Sequence, residues 1–515
     1  MRLPAYLTSG DSFGTRRRAA TSYAVLLVWV VIVLFVSFEH EVWRDEVRAL
    51  SVAIQPDSLH ELPRFLKNEG HPALWYVLLR LGFGVTHTTA ILQILSLLIA
   101  LAAVAVFLRY APFAGWQKLL FLGGVFSLYE YSVTARNYGI AMLLLFLFAL
   151  LYEKREKRPF LAALLLFFLA NANAVSCIFA GILLLMWIVD DLAVRRERLT
   201  IRLTASWLFV LAGVGLAIWT CLPTPDSVLT RPYTLSRISS AVVSSTIHPS
   251  RHFNYLWYGV PAVIADLLLW LLVLGLAKRA TLAASLGGAM VAMGTFFRVV
   301  YPGYLRHQGM FLIFALTLFW ILKRGEAPPG ERRPAPLLRS LRTVSLSILL
   351  PALLLIQGAS GAFKIRRDIT QDLSSSRDFS EFIDAHPEYH DAILMGEPDY
   401  LLESLPYYLS NRIYIPREGA FRNYTLFTMA NRQTLSMGEL LESAEAVERR
   451  EGKPVLLLFG HFDIADGSLT RKEFGYAKAF TCSPEERALF LESTRKVAEF
   501  KDAANDENYA VYALR

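Results

Sequence analysis

Cysteine and charge are both scarce in this chain of 515 residues. The three cysteines, Cys177, Cys221 and Cys482, lie far apart, so they form neither zinc-site spacing nor a disulfide framework. No Walker loop, Rossmann fingerprint or zinc signature occurs in the sequence, so none of these common nucleotide-binding or zinc-binding motifs is present. Charged residues make up 19 %, whereas 54 % are hydrophobic and the mean hydropathy is +0.39. A soluble chain carries about a quarter charged residues, so the composition indicates a membrane protein.

The positive charge is unevenly distributed. The net charge is +8, yet residues 363–515 hold 19 Lys and Arg against 26 Asp and Glu. Lys/Arg clusters separate the apolar runs, as is typical of cytoplasmic loops. A basic membrane part together with an acidic tail argues against a nucleic-acid partner. These clusters are Arg16–Arg18, 153–158, 195–202, Lys278 with Arg279, and 323–342.

Twelve apolar runs approach the roughly 20 residues that cross a bilayer. The run at 73–86 is the weakest, because it contains Arg80 and two glycines, and it suggests a partial or tilted insertion. An odd total, 11 or 13 crossings, places the tail outside. The runs lie near 22–38, 73–86, 90–108, 117–135, 138–152, 159–171, 174–189, 203–222, 256–276, 280–300, 304–322 and 343–359.

The predicted fold class is therefore a polytopic α-helical membrane protein with about 11–13 transmembrane helices and a small C-terminal extracytoplasmic α/β domain. Residues 1–21 are predicted as a cytoplasmic N-terminus and 22–362 as the membrane domain, with outer loops at 39–72 and 223–255. Residues 363–515 form the tail.

The tail alternates strands and helices in the predicted pattern. Strands are expected at 392–396, 411–416, 454–461 and 509–514, and helices at about 400–409, 436–450 and 484–490. Tyr400, Tyr407 and Tyr408 are interpreted as packing residues, with stacking on sugar rings as the alternative. The tail is expected to cover the site and help choose the acceptor, without performing chemistry.

The stretch "EVWRDEVRAL" (41–50) places two adjacent carboxylates, Asp45 and Glu46, after the first apolar run. Successive residues of a helix point about 100° apart, so the two cannot face the same partner. One carboxylate can serve as a general base while the other orients a hydroxyl or pairs with Arg44 or Arg48. The plain alternative is a surface pair of Asp45 with Arg48, worth only a few tenths of a kcal/mol.

Basic and aromatic groups are predicted on the same outer side. His71 precedes Pro72 at a helix start, where exposed amides suit a phosphate. Each of these groups alone could be a helix-end anchor, but together they suit transfer from a phosphate leaving group to a hydroxyl. The candidate phosphate-binding residues are His71, Arg136, Tyr138, Arg306 and His307, and His248, Arg251 and His252 are candidate contacts from the second outer loop.

Three segments carry a resemblance to a known family. "WRDE" (43–46), "GHPALWYVLL" (70–79) and "ARNYGIAMLLLFLFAL" (135–150) resemble the GT-C membrane glycosyltransferases, in particular the bacterial family 39 branch of protein O-mannosyltransferase and aminoarabinose transferase relatives. The resemblance covers roughly residues 22–190. The chain departs from the pattern with one proline after His71 instead of two, and it lacks the Asp often found soon after the Arg.

The resemblance implies a role for each matching residue. Asp45 would be the base, Glu46 an acceptor contact or structural partner, and His71 and Arg136 neighbours of the donor phosphate. The implied donor is a polyprenyl-phosphate sugar, and the implied acceptor is a hydroxyl of a lipid, glycan or protein.

The leading prediction is thus an inverting integral-membrane glycosyltransferase of the bacterial inner membrane and cell envelope. No cofactor is required by the sequence, although a divalent metal occurs in some branches of the family. The alternative is a transporter or lipid-handling membrane protein with a glycan-binding outer domain, which would need polar residues along a path to the other side.

Overall fold

The computed structural model describes residues 12–229, 233–325, 335–465 and 468–515, with only the backbone for 12–20. The predicted cytoplasmic N-terminus at 1–21 and the Pro-rich loop at 327–336 lie mostly outside these residues. Most apolar runs predicted from the sequence are helical in the structure, because a bilayer offers the backbone no other hydrogen-bond partners. The run at 117–135 is broken instead: α6 ends at Leu122, and residues 131–135 lie outside any helix. The helices of the membrane part are α1 Ser12–Glu39, α2 Arg44–Ile54, α3 Leu62–Phe65, α4 Leu74–Thr86, α5 Ile91–Tyr110, α6 Gly115–Leu122, α7 Tyr138–Leu151, α8 Pro159–Ala170, α9 Ala174–Val189, α10 Ile201–Cys221, α11 Leu235–Ile247, α12 Ala262–Leu274, α13 Ala280–Val299, α14 Leu305–Arg324, α15 Pro336–Val344 and α16 Leu350–Thr370.

The fold class is the one predicted, a polytopic α-helical membrane protein with a C-terminal domain that contains strands. Among the described residues, seven helical segments are long and apolar enough to cross a membrane, and three apolar helices are shorter. Helix α14 is the centre of the bundle, since 89 % of its apolar window is buried. The domain boundary placed at 362 falls inside α16, which continues to Thr370.

Helix α4 begins and ends on the same face of the bundle. The Leu74 amide donates to the Asn171 carbonyl at the end of α8, and the Thr89 hydroxyl, just past α4, donates to the Tyr407 carbonyl of the tail. The contacts at both ends of α4 support the partial insertion suspected at 73–86, and the total number of crossings stays a prediction.

A cluster of paired charges closes the opposite face of the bundle. Tyr152 donates to Asp190 at 2.6 Å, Arg279 pairs with Glu153 and Asp190, and the fully buried Arg155 pairs with Asp191. Glu153, Arg155 and Arg279 belong to basic loops predicted as cytoplasmic, and Tyr152, Asp190 and Asp191 lie just before two of these loops. Every charge in this cluster has a partner of opposite sign, as buried charges require.

The tail folds around a four-stranded sheet in the order β1-β5-β9-β8, with β1 and β5 parallel and the other pairs antiparallel. Alternate residues of β5 enter two apolar clusters, Leu457 on one face and Leu456 on the other, which explains the unbroken apolar strands. The strands are β1 Ile393–Glu397, β2 Tyr414–Ile415, β3 Ala420–Phe421, β4 Thr434–Ser436, β5 Val455–Phe459, β6 Arg471–Glu473, β7 Ala479–Thr481, β8 Thr494–Phe500 and β9 Tyr509–Leu514, and the helices are α17 Ser376–Ala385, α18 Leu405–Tyr408, α19 Met437–Glu451 and α20 Pro484–Ser493.

The tail tyrosines named from the sequence are packing residues in this structure. Tyr400 is buried beside the sheet, whereas Tyr407 donates to Gln93 and Tyr408 to the Val42 carbonyl of the membrane part. The tail therefore sits directly on the segment that carries Asp45.

Candidate functional site

The two adjacent carboxylates of α2 face different surroundings. Helix α2 begins at Arg44, directly after the extended residue Trp43. The Glu46 side chain is completely buried, whereas the Asp45 side chain exposes 39 % of its surface. Asp45 is therefore the carboxylate that an incoming molecule can reach.

Glu46 belongs to a buried ion triad. Its carboxylate lies 3.0 Å from His40 Nε2, and His40 Nδ1 lies 3.0 Å from the Asp368 carboxylate at the end of α16. Burial alone would lower the pKa of His40, but Glu46 and Asp368 outweigh it and raise that pKa to about 10. His40 is thus a cation that two carboxylates share.

The same Glu46 fixes the segment that carries Arg136. Its Oε1 accepts a hydrogen bond from the Ala135 amide, and the next residue, Arg136, donates to the main-chain carbonyl of Asp45. Glu46 is therefore a positioning residue in this structure, and it pairs with neither Arg44 nor Arg48.

Arg306 faces Asp45 from the first turn of α14. Its Nη1 lies 3.7 Å from Asp45 Oδ2 and has no hydrogen-bond partner, and its guanidinium stacks 5.4 Å from the Trp43 ring centre. Burial would raise the pKa of Asp45, but Arg136, Arg306 and Arg44 together hold that pKa below its usual value. The Asp45 carboxylate is ionised among excess positive charge.

His71 and Tyr138 add neutral polar groups to the same cluster. Burial, with Arg136 and Arg306, lowers the pKa of His71 to about 3, so its imidazole is neutral. His71 Nδ1 and the Tyr138 hydroxyl are buried without a hydrogen-bond partner. The Tyr138 ring contacts His307 edge-on, 5.5 Å between centres. Unpaired buried groups cost free energy, and a bound ligand would supply their partners.

The candidates from the second outer loop lie elsewhere. His248 pairs with Asp266 at 3.2 Å, and with Arg251 it lines a groove of about 470 Å³ between α11 and the end of α13. His252 approaches Gly294 of α13. Within the described chain, no contact joins these three residues to Asp45.

The tail contributes residues that the sequence did not single out. Arg44 forms a two-pronged pair with Asp506, and its amide donates to Glu507 at 2.9 Å. Arg48 pairs with Glu69 and Glu403, both at 2.6 Å, so the alternative pair of Asp45 with Arg48 does not form. The tail partners Glu403, Asp506 and Glu507 lie 355 to 463 positions from the arginines they bind, so no local pattern could have revealed them.

No metal centre is evident in the described part of the chain, where no group of three or more His, Cys, Asp or Glu side chains has a metal-binding arrangement. The groups around Asp45 are mainly cationic and suit an anion. A carboxylate open to an incoming hydroxyl, opposite arginines that can hold an oxyanion, is a site for proton removal coupled to departure of an anionic group.

Comparison with known proteins gives structural neighbours only. No protein-family model matches the chain, and no curated protein matches it. Among solved structures, ArnT from Cupriavidus metallidurans bound to undecaprenyl phosphate is similar over 98 % of each chain, with 13 % identity and a TM-score of 0.42. The mycobacterial arabinofuranosyltransferase AftD is similar in two classes, with 14 % and 15 % identity and TM-scores of 0.36 and 0.34.

The chain spans about two fifths of the AftD chain, 41 % and 42 % in the two classes, while 95 % and 98 % of this chain is covered. At such low identities and TM-scores the likeness assigns no reaction, substrate or site residue to this chain.

Proposed function

We propose that this protein is an integral-membrane inverting glycosyltransferase that moves a sugar from a polyprenyl-phosphate donor to a hydroxyl acceptor. The observation that carries the proposal is the pairing of Asp45, open on one side, with Arg136 and Arg306 at the end of the helical bundle. The carboxylate suits the acceptor hydroxyl, and the arginines suit the phosphate that leaves.

We propose that the donor phosphate binds to three polar groups that lack hydrogen-bond partners. Arg306 Nη1, His71 Nδ1 and the Tyr138 hydroxyl each lack a hydrogen-bond partner. Arginine binds phosphate through two parallel hydrogen bonds, and the hydroxyl of Tyr138 can donate another. The neutral His71 can donate without adding a charge. The ring of His307 supports Tyr138 from the side.

In the proposed reaction Asp45 accepts the proton of the acceptor hydroxyl. The oxygen then attacks the anomeric carbon, the bond from that carbon to the phosphate oxygen breaks, and the lipid phosphate leaves with the electron pair. A single displacement of this kind inverts the anomeric configuration and needs one carboxylate. Phosphate bound at Arg136 and Arg306 offsets their charge, so the pKa of Asp45 rises and Asp45 becomes a better base.

The two faces of the bundle support a reaction on one side of a membrane. Asp45, the arginines and the tail share one face, which the charge distribution predicts to be extracytoplasmic in a bacterial inner membrane. The central helix α14 is apolar from Met310 to Leu322 except for Thr317, whose hydroxyl donates to the Ile313 carbonyl. Helix α14 therefore lines no polar route to the opposite face, which disfavours the transporter alternative.

The test is sugar transfer by the purified protein from a labelled polyprenyl-phosphate sugar to membrane lipid and glycan acceptors. We expect Asp45→Asn to reduce transfer at least about a hundredfold, because a general base contributes roughly 10² to 10⁴ in rate. Donor binding should remain, since the arginines are intact. Asp57→Asn, an exposed carboxylate of the same outer segment, is the matched control. If Asp45→Asn transferred sugar at a rate within a few-fold of wild type, Asp45 would not be the general base.

A further inference from the structure

An aromatic ladder from the tail lies against α2, the helix that carries Asp45. The rings of Phe427 and Tyr476 stack at 4.4 Å between centres and 24° between planes, and the Arg48 guanidinium of α2 lies 4.0 Å from the centre of the Phe427 ring. Arg48 is itself held by Glu69, Glu403 and the Thr425 carbonyl. The ladder is therefore rigid before any ligand arrives.

Tyr476, the outermost ring of this ladder, sits on a strained turn. Tyr476 and Ala477 have φ of 63° and 59°, a left-handed conformation that side-chain-bearing residues rarely adopt. The turn is held closed because the Phe474 amide donates to the Lys478 carbonyl, and the buried Lys478 pairs with Asp399 at 2.5 Å. Such strain persists only where the surroundings impose it, and it concentrates at ligand-binding positions.

Tyr476 is exposed, and ring contacts connect it to the residue that precedes Asp45. It retains 37 % of its surface, unlike most aromatic residues of the tail core. Tyr476 meets Tyr400 edge-on at 5.6 Å, and the Arg44 guanidinium lies 5.2 Å from the Tyr400 ring.

Polar groups border this aromatic wall. His461 lies within 3.4 Å of the Tyr400 hydroxyl and faces the Asp506 carboxylate that Arg44 holds. One face of a sugar ring carries C–H bonds of slight positive charge, which match the negative face of an aromatic ring, and the ring hydroxyls need polar partners at the edge. A simple aliphatic alcohol could pack on the ring, but it has no further hydroxyls for the polar groups at the edge.

We propose that Tyr476, stacked on Phe427, is a platform for the sugar ring of a carbohydrate acceptor, whose free hydroxyl it presents to Asp45. This inference rests on the proposed function for the direction of transfer, but the binding of sugar by the platform stands independently. The proposed acceptor is then a hydroxyl of a glycan and not any hydroxyl.

The experiment measures sugar binding and transfer separately in the full-length protein. Saturation-transfer NMR with a panel of malto-, cello-, chito- and arabino-oligosaccharides reports binding without any donor. We expect at least one class to bind the wild type, and Tyr476→Ala to weaken it about tenfold or more, which corresponds to about 1.4 kcal/mol. Tyr476→Phe should retain most binding. In transfer, Tyr476→Ala should raise the KM for the acceptor while the KM for the donor stays within about twofold.

Two further variants keep the outcome interpretable. Tyr476→Gly relieves the left-handed strain, so it should keep the melting temperature while losing sugar binding. Phe421→Ala removes another tail ring, one covered by Arg412 at 3.6 Å, and should leave sugar binding unchanged. If no oligosaccharide binds the wild type, or if Tyr476→Gly binds as well as wild type, the platform is refuted. Sugar binding without transfer would instead refute the proposed function and leave the platform standing.

Discussion

We expect the replacement of Arg306 to separate the donor requirement from the acceptor requirement most clearly. Its Nη1 is buried and lacks a hydrogen-bond partner. A charge-assisted hydrogen bond is worth about 1.5–3 kcal/mol, so Arg306→Ala should raise the donor KM roughly tenfold to a hundredfold. The acceptor KM should change little. Arg306→Lys should restore only part of the affinity, because a point charge replaces the two-pronged guanidinium.

Steady-state kinetics with each substrate varied in turn tests this prediction. Arg412→Ala, an arginine of the tail that packs on Phe421 and pairs with Glu451, is the control and should match wild type for both substrates. Equal weakening toward donor and acceptor by Arg306→Ala would argue against a phosphate at this position.

Single residues were partly predictable from the sequence. Asp45 is predictable as one of two adjacent carboxylates after the first apolar run, and Arg136 as a charge beside apolar runs. The structure brings them together, since Arg136 donates to the Asp45 carbonyl. His40 was not, although it directly follows the first span, because its partner Asp368 stands 328 positions later. Tyr476 lacked any signal, since the strain of its turn exists only in the folded chain.

At the scale of elements, the triad around His40 ties three helices together. His40 follows α1, Glu46 lies in α2 and Asp368 in α16. The pKa of His40 is about 10 when folded and near 6.5 when unfolded, so the stabilisation is complete below pH 6.5 and is lost as the pH rises through 10.

His40→Gln should therefore lower the melting temperature most at pH 6, by several degrees, with the deficit shrinking toward pH 10. Thermal unfolding in detergent across that range measures the deficit. His60→Gln is the control, because His60 is exposed and contacts only Ser58 in the same outer segment. A deficit that stays constant with pH would mean that His40 is uncharged in the folded protein.

The apolar runs predicted which segments are helical, but not the path of the chain between the two faces of the bundle. Length and apolarity predicted the helices, because only a helix satisfies the backbone in lipid. They did not determine the return of α4 to its starting face, which follows from contacts with Asn171 and Tyr407 at its two ends. In the tail, β5 was predictable as an apolar run, whereas β8 was missed because its residues Thr494–Phe500 are mostly polar.

At the scale of the whole molecule, catalysis as proposed depends on how the tail sits on the membrane part. The proposed base, Asp45, stands between Arg44, which the tail holds through Asp506 and Glu507, and Arg306 of the central helix. The site therefore belongs to the assembled molecule and to neither part alone. A change in tail docking would change the surroundings of Asp45 without touching it.

Glu507 makes this docking depend on pH. Its buried carboxylate accepts from the Arg44 amide and from the Ser374 hydroxyl, and burial raises its pKa to about 7. The folded protein holds this proton more tightly than the unfolded chain does, since the ordinary pKa is near 4.5. The associated stability is present below pH 4.5 and is lost as the pH rises through 7.

We therefore expect α2 and the tail to be protected more strongly from hydrogen exchange at pH 6 than at pH 8, after correction for the intrinsic exchange rate. Glu507→Gln mimics the protonated carboxyl, because its amide can donate to Ser374 while its oxygen still accepts from Arg44. At both pH 6 and pH 8, this variant should show the stronger protection from hydrogen exchange that wild type shows at pH 6. Glu499→Gln is the control, since Glu499 is a surface carboxylate of the tail paired with Lys496 and Lys501, and it should follow wild type. If Glu507→Gln lost protection between pH 6 and 8 as steeply as wild type, the pH dependence would arise from a group other than Glu507.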